Sequence, residues 1–189
     1  ATLVLGNLTD VFQQSVKRML AYSSIAQAGF MLFAVFALNE KAKEGLILYA
    51  AAYSLATIGI FAILIKMKDY TIDGFNGLAK KQPVLAVTGL VFLLSLTGVP
   101  LTAGFQSKFY MLMAAAEVGS YTWLIILAVL CAAISAYYYF KIIQAIFFKE
   151  ASSAEGDLTE VITTAFKLML IITAVLIILL GVMPGLLTD

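Results

Sequence analysis

The stretch L-T-G-V-P-L-T-A-G-F-Q-S-K-F-Y-M-L, residues 96–112, decides how this chain folds. It lies inside an apolar run over 84–116 whose one charge is Lys108. As one straight helix, 33 residues would be about 50 Å long at 1.5 Å per residue, against a bilayer core of roughly 30 Å. Pro100 lacks a backbone N–H and clashes with the preceding turn. Val99 is turned away from the helical region by the proline that follows it, and Gly98 and Gly104 make unusual dihedrals cheap. The pattern predicts a helix broken near 97–105, with Thr97, Gly98, Pro100 and Gly104 at the break. Non-helical backbone at membrane depth survives only where protein surrounds it or a wet cavity adjoins it. Discontinuous helices of this kind form ion sites in transporters.

Lys108 follows the break. It stands nine residues before Glu117, the next charge, a rise of about 13.5 Å, which puts it near the bilayer midplane. A lysine there costs about 2.5–3.5 kcal/mol even on the gentler insertion scale. Burial penalises the charged form of such a group, so a modest change of field suffices to load or unload a proton. Lys108 is therefore read as a proton relay. A structural lysine donating to carbonyls freed by the break, those of Thr97 or Gly98, is the competing reading, and the two are compatible.

Working outward, 62% of the 189 residues are hydrophobic and only 12% charged, where soluble domains carry about 25% charged residues. An all-α, polytopic transmembrane bundle follows, because lipid admits only helices or closed barrels and period-two alternation is absent. Helices are expected at about 19–38, 46–65, 84–116 (broken), 120–148 and 165–187, in one transmembrane region. Residues 1–14 read as the end of a preceding helix, and the chain, which begins at Ala1, as part of a longer protein. The net charge of +1 implies no nucleic-acid partner. The lone Cys131 forms no intrachain disulfide, and the lack of histidine argues against haem and most zinc or copper sites. No metal or cofactor site is expected, and no nucleotide-binding or nucleophile motif is present.

The basic residues fall unequally about the spans. Lys17, Arg18, Lys66, Lys68, Lys80, Lys81, Lys149 and Lys167 share side one, while Lys41 and Lys43 lie on side two. The positive-inside rule makes side one cytoplasmic and puts the carboxyl terminus outside. Tyr137, Tyr138 and Tyr139 approach side one and read first as an aromatic belt, second as a proton path. Glu155, Asp157 and Glu160 read as a solvated connector.

S-V-K-R-M-L-A-Y-S-S-I-A-Q-A-G-F (15–30) and the stretch 96–112 resemble the two signature segments of the antiporter-like subunits of respiratory complex I, a family that includes the Mrp-type sodium/proton antiporters. Within it, A-G-F-Q-S-K-F-Y-M-L (103–112) is most similar to the subunit N type, the bacterial counterpart of mitochondrial subunit 2. The M type usually has glutamate at the position of Lys108. The L type has an acidic residue after that lysine, where this chain has Phe109. F-N-G-L-A-K-K-Q-P (75–83) also suits the N type.

The resemblance implies part of a fourteen-helix antiporter-like fold, from the end of its ninth helix onward, in a bacterial inner membrane. It implies a translocase subunit that couples quinone reduction elsewhere to proton transfer, with Lys108 in the outward part of the route. NADH, FMN, iron–sulfur clusters and quinone would belong to other subunits. The partners would be neighbouring antiporter-like and small membrane subunits, and the lipid bilayer. The family's other relay residues would precede Ala1. Many relatives have histidine where this chain has Gln27, and an amide carries no proton charge near neutral pH. Candidates for a hydrated axis are Ser23, Ser24, Gln27, Tyr53, Ser54, Thr57 and Ser107, each also readable as a packing residue. Thr102 is a further hydroxyl candidate. An Mrp-type antiporter subunit and a purely structural membrane subunit are the alternative functions.

Overall fold

A computed structural model describes residues 1–119, 122–150 and 162–188; Ser120 and the acidic residues Glu155, Asp157 and Glu160 lie outside that range. The described residues form helices α1 (Thr2–Val11), α2 (Val16–Ala37), α3 (Glu40–Ile65), α4 (Leu78–Lys81), α5 (Pro83–Thr97), α6 (Ala103–Val118), α7 (Thr122–Phe148), α8 (Thr164–Val182) and α9 (Gly185–Thr188), with a 3-10 turn at Asp73–Phe75. Four of them, α2, α3, α7 and α8, are long and apolar enough to cross a membrane, and α5 is a shorter apolar helix. The chain is a transmembrane helix bundle.

Each boundary has a local cause. α3 starts at Glu40, ahead of the apolar run at 46, because the Asn39 side chain accepts a hydrogen bond from the Ala42 N–H and caps the helix. Pro83 opens α5 at its first turn, where a missing N–H is harmless. α8 stops at Val182, short of the expected 187, with Pro184 just beyond its end. The break itself is tighter than 97–105. Thr97 is the last residue of α5, Gly98 caps it in the left-handed region (φ 88°), and α6 begins at Ala103. Thr102 caps α6, accepting from the Phe105 N–H at 3.4 Å and donating to the Val99 carbonyl at 2.7 Å.

The interior centres on α3, which packs most extensively on α6, and also on α5, α8 and α2. Outward faces of α7 and α8 carry exposed Ile126, Val129, Leu130, Ile172 and Val175, as expected of surfaces that meet lipid. At one end of the bundle, the segments before α2 and after α3 join in a short antiparallel bridge at Ser15 and Thr71. Lys149 at the end of α7 pairs with Asp73 at 3.2 Å. That ammonium, with Asn76, holds the Asp73 carboxyl below the usual carboxylate range. At the other end, Lys41 pairs with Glu117, joining the start of α3 to the end of α6.

Candidate functional site

The site is the face of α6 that looks across the break at the end of α5. A helix leaves its last carbonyls without intrahelical donors. Here Leu96 would have been bonded by residue 100, which is proline and has no N–H, and Thr97 by residue 101, which has left the helix with φ 74°. Lys108 takes both places. Its Nζ donates to the Leu96 carbonyl at 2.8 Å and to the Thr97 carbonyl at 3.2 Å. The negative end of the α5 dipole thus faces the amine. The Phe30 ring of α2 lies 4.8 Å from Nζ, within cation–π range. Lys108 is 6% exposed and makes no ion pair among the described residues.

Two close approaches hold this arrangement. A Cβ on Gly104 would stand 1.9 Å from the Ser95 carbonyl oxygen, so only glycine lets α6 lie this near α5; its N–H donates to Ser95 Oγ at 3.2 Å. Gly104 therefore serves contact rather than unusual dihedrals. Gly98 combines both needs: its φ is positive, and the Lys108 side chain passes over it, 3.2 Å from where a Cβ would stand. A Cβ on Gly181 of α8 would stand 2.4–2.7 Å from the backbone of Leu101, Thr102 and Ala103, so protein covers the loosened backbone on that side.

A row of buried polar groups leads away from Lys108. Gln27 Nε2 donates to the same Leu96 carbonyl at 3.0 Å, and its Oε1 accepts from the Tyr49 hydroxyl. Gln27 Nε2 also reaches the Tyr139 hydroxyl at 3.5 Å, and that hydroxyl is hydrogen-bonded to Ser23. The Tyr138 ring packs on Tyr139 with centroids 4.6 Å apart, and its hydroxyl donates to Asn7 Oδ1 at 3.2 Å. Beside Lys108, Gln27, Tyr49, Tyr53, Ser95 and Ser107 line a cavity of about 10 Å³, room for about one water.

The sequence-derived candidates divide. Lys108, Gln27, Ser107, Tyr53 and Gly104 meet at the cavity, and Ser23 joins through Tyr139. Thr97 contributes its backbone carbonyl, while its hydroxyl donates to Leu93 O. Pro100 is exposed and acts by the donor it lacks. Ser24 is half-buried and donates to the Ala21 carbonyl; Ser54 is exposed; Thr57 is half-buried and off the cavity wall. Gly98, named as a possible carbonyl partner of Lys108, is not one; Leu96 is. Tyr49, Ser95, Phe30, Asn7 and Asp10 were not singled out at all. The belt reading fits Tyr137 alone, which is 54% exposed, because successive residues turn 100° on a helix. Tyr138 and Tyr139 are fully buried. Among the described residues no group of three His, Cys, Asp or Glu could hold a metal ion.

Residues 1–135 match the family described as NADH:quinone oxidoreductase/Mrp antiporter, TM, and the chain belongs to it. It is 38% identical, over its whole length, to NADH-quinone oxidoreductase subunit N 1 of Herpetosiphon aurantiacus, of which it covers 39%. It is 42% identical over 79% of its length to NADH-quinone oxidoreductase subunit N 1 of Thermodesulfovibrio yellowstonii, covering 32% of that protein. A chain of respiratory complex I from Thermus thermophilus with bound aureothin superposes on 99% of this one with a TM-score of 0.85 at 33% identity, 42% of that chain being covered. The chain thus spans about two-fifths or less of the relatives it matches.

Proposed function

We propose that the chain is part of a subunit N-type, proton-translocating subunit of an NADH:quinone oxidoreductase, and that Lys108 is its relay in this region. The observation that carries the reading is Lys108 itself: a buried amine held by the two carbonyls that Pro100 and the break set free. The two carbonyls accept both donors of an amine, or two of the three of an ammonium with the third turned toward the cavity, so both protonation states fit the same pocket. The small cavity beside it seats a water that passes the proton on. Gln27 orients that water and holds the Leu96 carbonyl, and carries no proton itself. Redox chemistry, with NADH, FMN, iron–sulfur clusters and quinone, takes place in other subunits. Neighbouring antiporter-like and small membrane subunits are the partners. Side one, rich in lysine and arginine, faces the cytoplasm of a bacterial cell, and the carboxyl terminus faces outward.

The relatives named subunit N favour this reading over an Mrp-type antiporter. It is tested with inverted vesicles carrying the full-length subunit, in sodium-free medium. NADH oxidation is expected to drive proton uptake and to lose it when the subunit is deleted. A strict sodium requirement, with transport independent of NADH, supports the antiporter reading instead.

A further inference from the structure

The row of polar groups does not end at Tyr138. Asp10, on the last turn of α1, is 0% exposed, and neither carboxylate oxygen has a hydrogen-bond partner. A buried carboxylate without partners is among the costliest groups in a protein. It also stands at the carboxyl end of its helix, where a negative charge is disfavoured. The fold presses it inward: α1 lies against α2 so closely that a Cβ on Gly6 would stand 2.8 Å from the Ala26 nitrogen. The Tyr138 hydroxyl reaches this face of α1, where it donates to Asn7 Oδ1 at 3.2 Å, one turn before Asp10. The other polar groups facing this corner are Asn7 on α1, Tyr139 on α7 and Lys141, whose Nζ donates to the Val11 carbonyl at 3.4 Å.

We infer that Asp10 is a second proton-holding group of this subunit, at the Lys17/Arg18 end of the bundle, and that it supplies Lys108 through Tyr138, Ser23, Tyr139 and the cavity water. The inference rests on the relay reading of Lys108. The balance is simple. The Tyr138 hydroxyl first turns from Asn7 toward Ser23; the Asp10 carboxyl then gives its proton to the Tyr138 oxygen as that hydroxyl passes its own to Ser23. Ser23 passes one to Tyr139, which lies 3.5 Å from Gln27 Nε2 outside the cavity wall, and when the Gln27 amide swings aside Tyr139 passes one to the cavity water. The water gives one to the Lys108 amine. Asp10 is left a carboxylate and Lys108 an ammonium, and each hydroxyl ends as it began. A proton from side one then reloads Asp10.

The test uses the whole complex with Asp10→Asn, Asp10→Glu and Lys108→Ala introduced separately into the full-length subunit. Coupled turnover, its pH profile and the infrared difference band of a protonated carboxyl are read in each. Asp10→Asn is expected to assemble, lower coupled turnover by about tenfold or more, change the pH profile and abolish the band. Asp10→Glu restores turnover and moves the band. Should Asp10→Asn not assemble, Asp10→Glu decides: a working variant whose carboxyl band is moved supports the inference, and the absence of any band that responds to the substitution overturns it. Wild-type turnover, pH profile and spectrum in Asp10→Asn also overturn it. Where Asp10→Asn behaves as wild type while Lys108→Ala abolishes pumping, the relay reading stands and only the role of Asp10 falls.

Discussion

Gly104→Ala adds one methyl group and nothing else, yet it should disable the site. The new Cβ would stand 1.9 Å from the Ser95 carbonyl oxygen, 2.8 Å from its carbon and 2.9 Å from its Oγ. Carbon and a carbonyl oxygen do not approach much closer than about 3.3 Å, so α6 must retreat from α5 by more than ~1 Å. Ser95 adjoins Leu96, and Gly104 lies one helical turn before Lys108. The retreat therefore falls directly on the 2.8 Å bond from Nζ to the Leu96 carbonyl. Overpacking of this kind costs about 1–3 kcal/mol, and a misplacement near 1 Å can reduce rate about a hundredfold. Thermal unfolding of the complex, with NADH-driven proton pumping in vesicles, measures both. The expected variant unfolds at lower temperature and pumps poorly even where it assembles. Unchanged melting and unchanged coupled pumping would refute the claim that this contact sets the lysine in place.

Two further outcomes follow from single side chains. Gln27→Leu removes the acceptor of the buried Tyr49 hydroxyl and one of the donors to Leu96 O; leaving such groups unpaired costs about 1–3 kcal/mol, read as a lowered melting temperature together with slower pumping. Lys149→Ala releases the Asp73 carboxyl toward its ordinary value of about 3.9. A depressed carboxyl contributes stability above that value and loses it as pH falls through its folded-state pKa, so the small melting difference between variant and wild type should be present at neutral pH and vanish in strong acid.

The sequence exposes the helices because lipid demands long uncharged runs, and it exposes the break because Pro100 and Gly98 have few other uses inside one. Helix ends are less legible. The apolar run at 46–65 marks where lipid begins, while α3 begins six residues earlier at a cap made by Asn39. The apolar run also continues past Pro184, although α8 has already ended. Side-chain phase is the hardest part. In a bundle surrounded by lipid, both faces of a helix are apolar, so nothing in the pattern separates Ser23, which is buried, from Ser24, turned 100° away, or Tyr53 from Ser54. The partners of the row are remote in sequence as well: Tyr139 meets Ser23 across 116 residues, and Tyr138 meets Asn7 across 131. Asp10 was hidden because a short apolar segment with one acid reads as a helix end near water, and only the packing of α1 on α2 and α7 shows it buried.

The central claim is that Lys108 moves protons and that the break exists to hold it. Its most direct measurement is proton pumping coupled to NADH oxidation in vesicles bearing Lys108→Ala in the full-length subunit, with assembly of the complex verified in the same membranes. The complex is expected to assemble, with pumping and coupled quinone reduction lowered by about tenfold or more. An assembled complex that pumps at the wild-type rate would contradict the claim and leave Lys108 as no more than the donor that satisfies the Leu96 and Thr97 carbonyls.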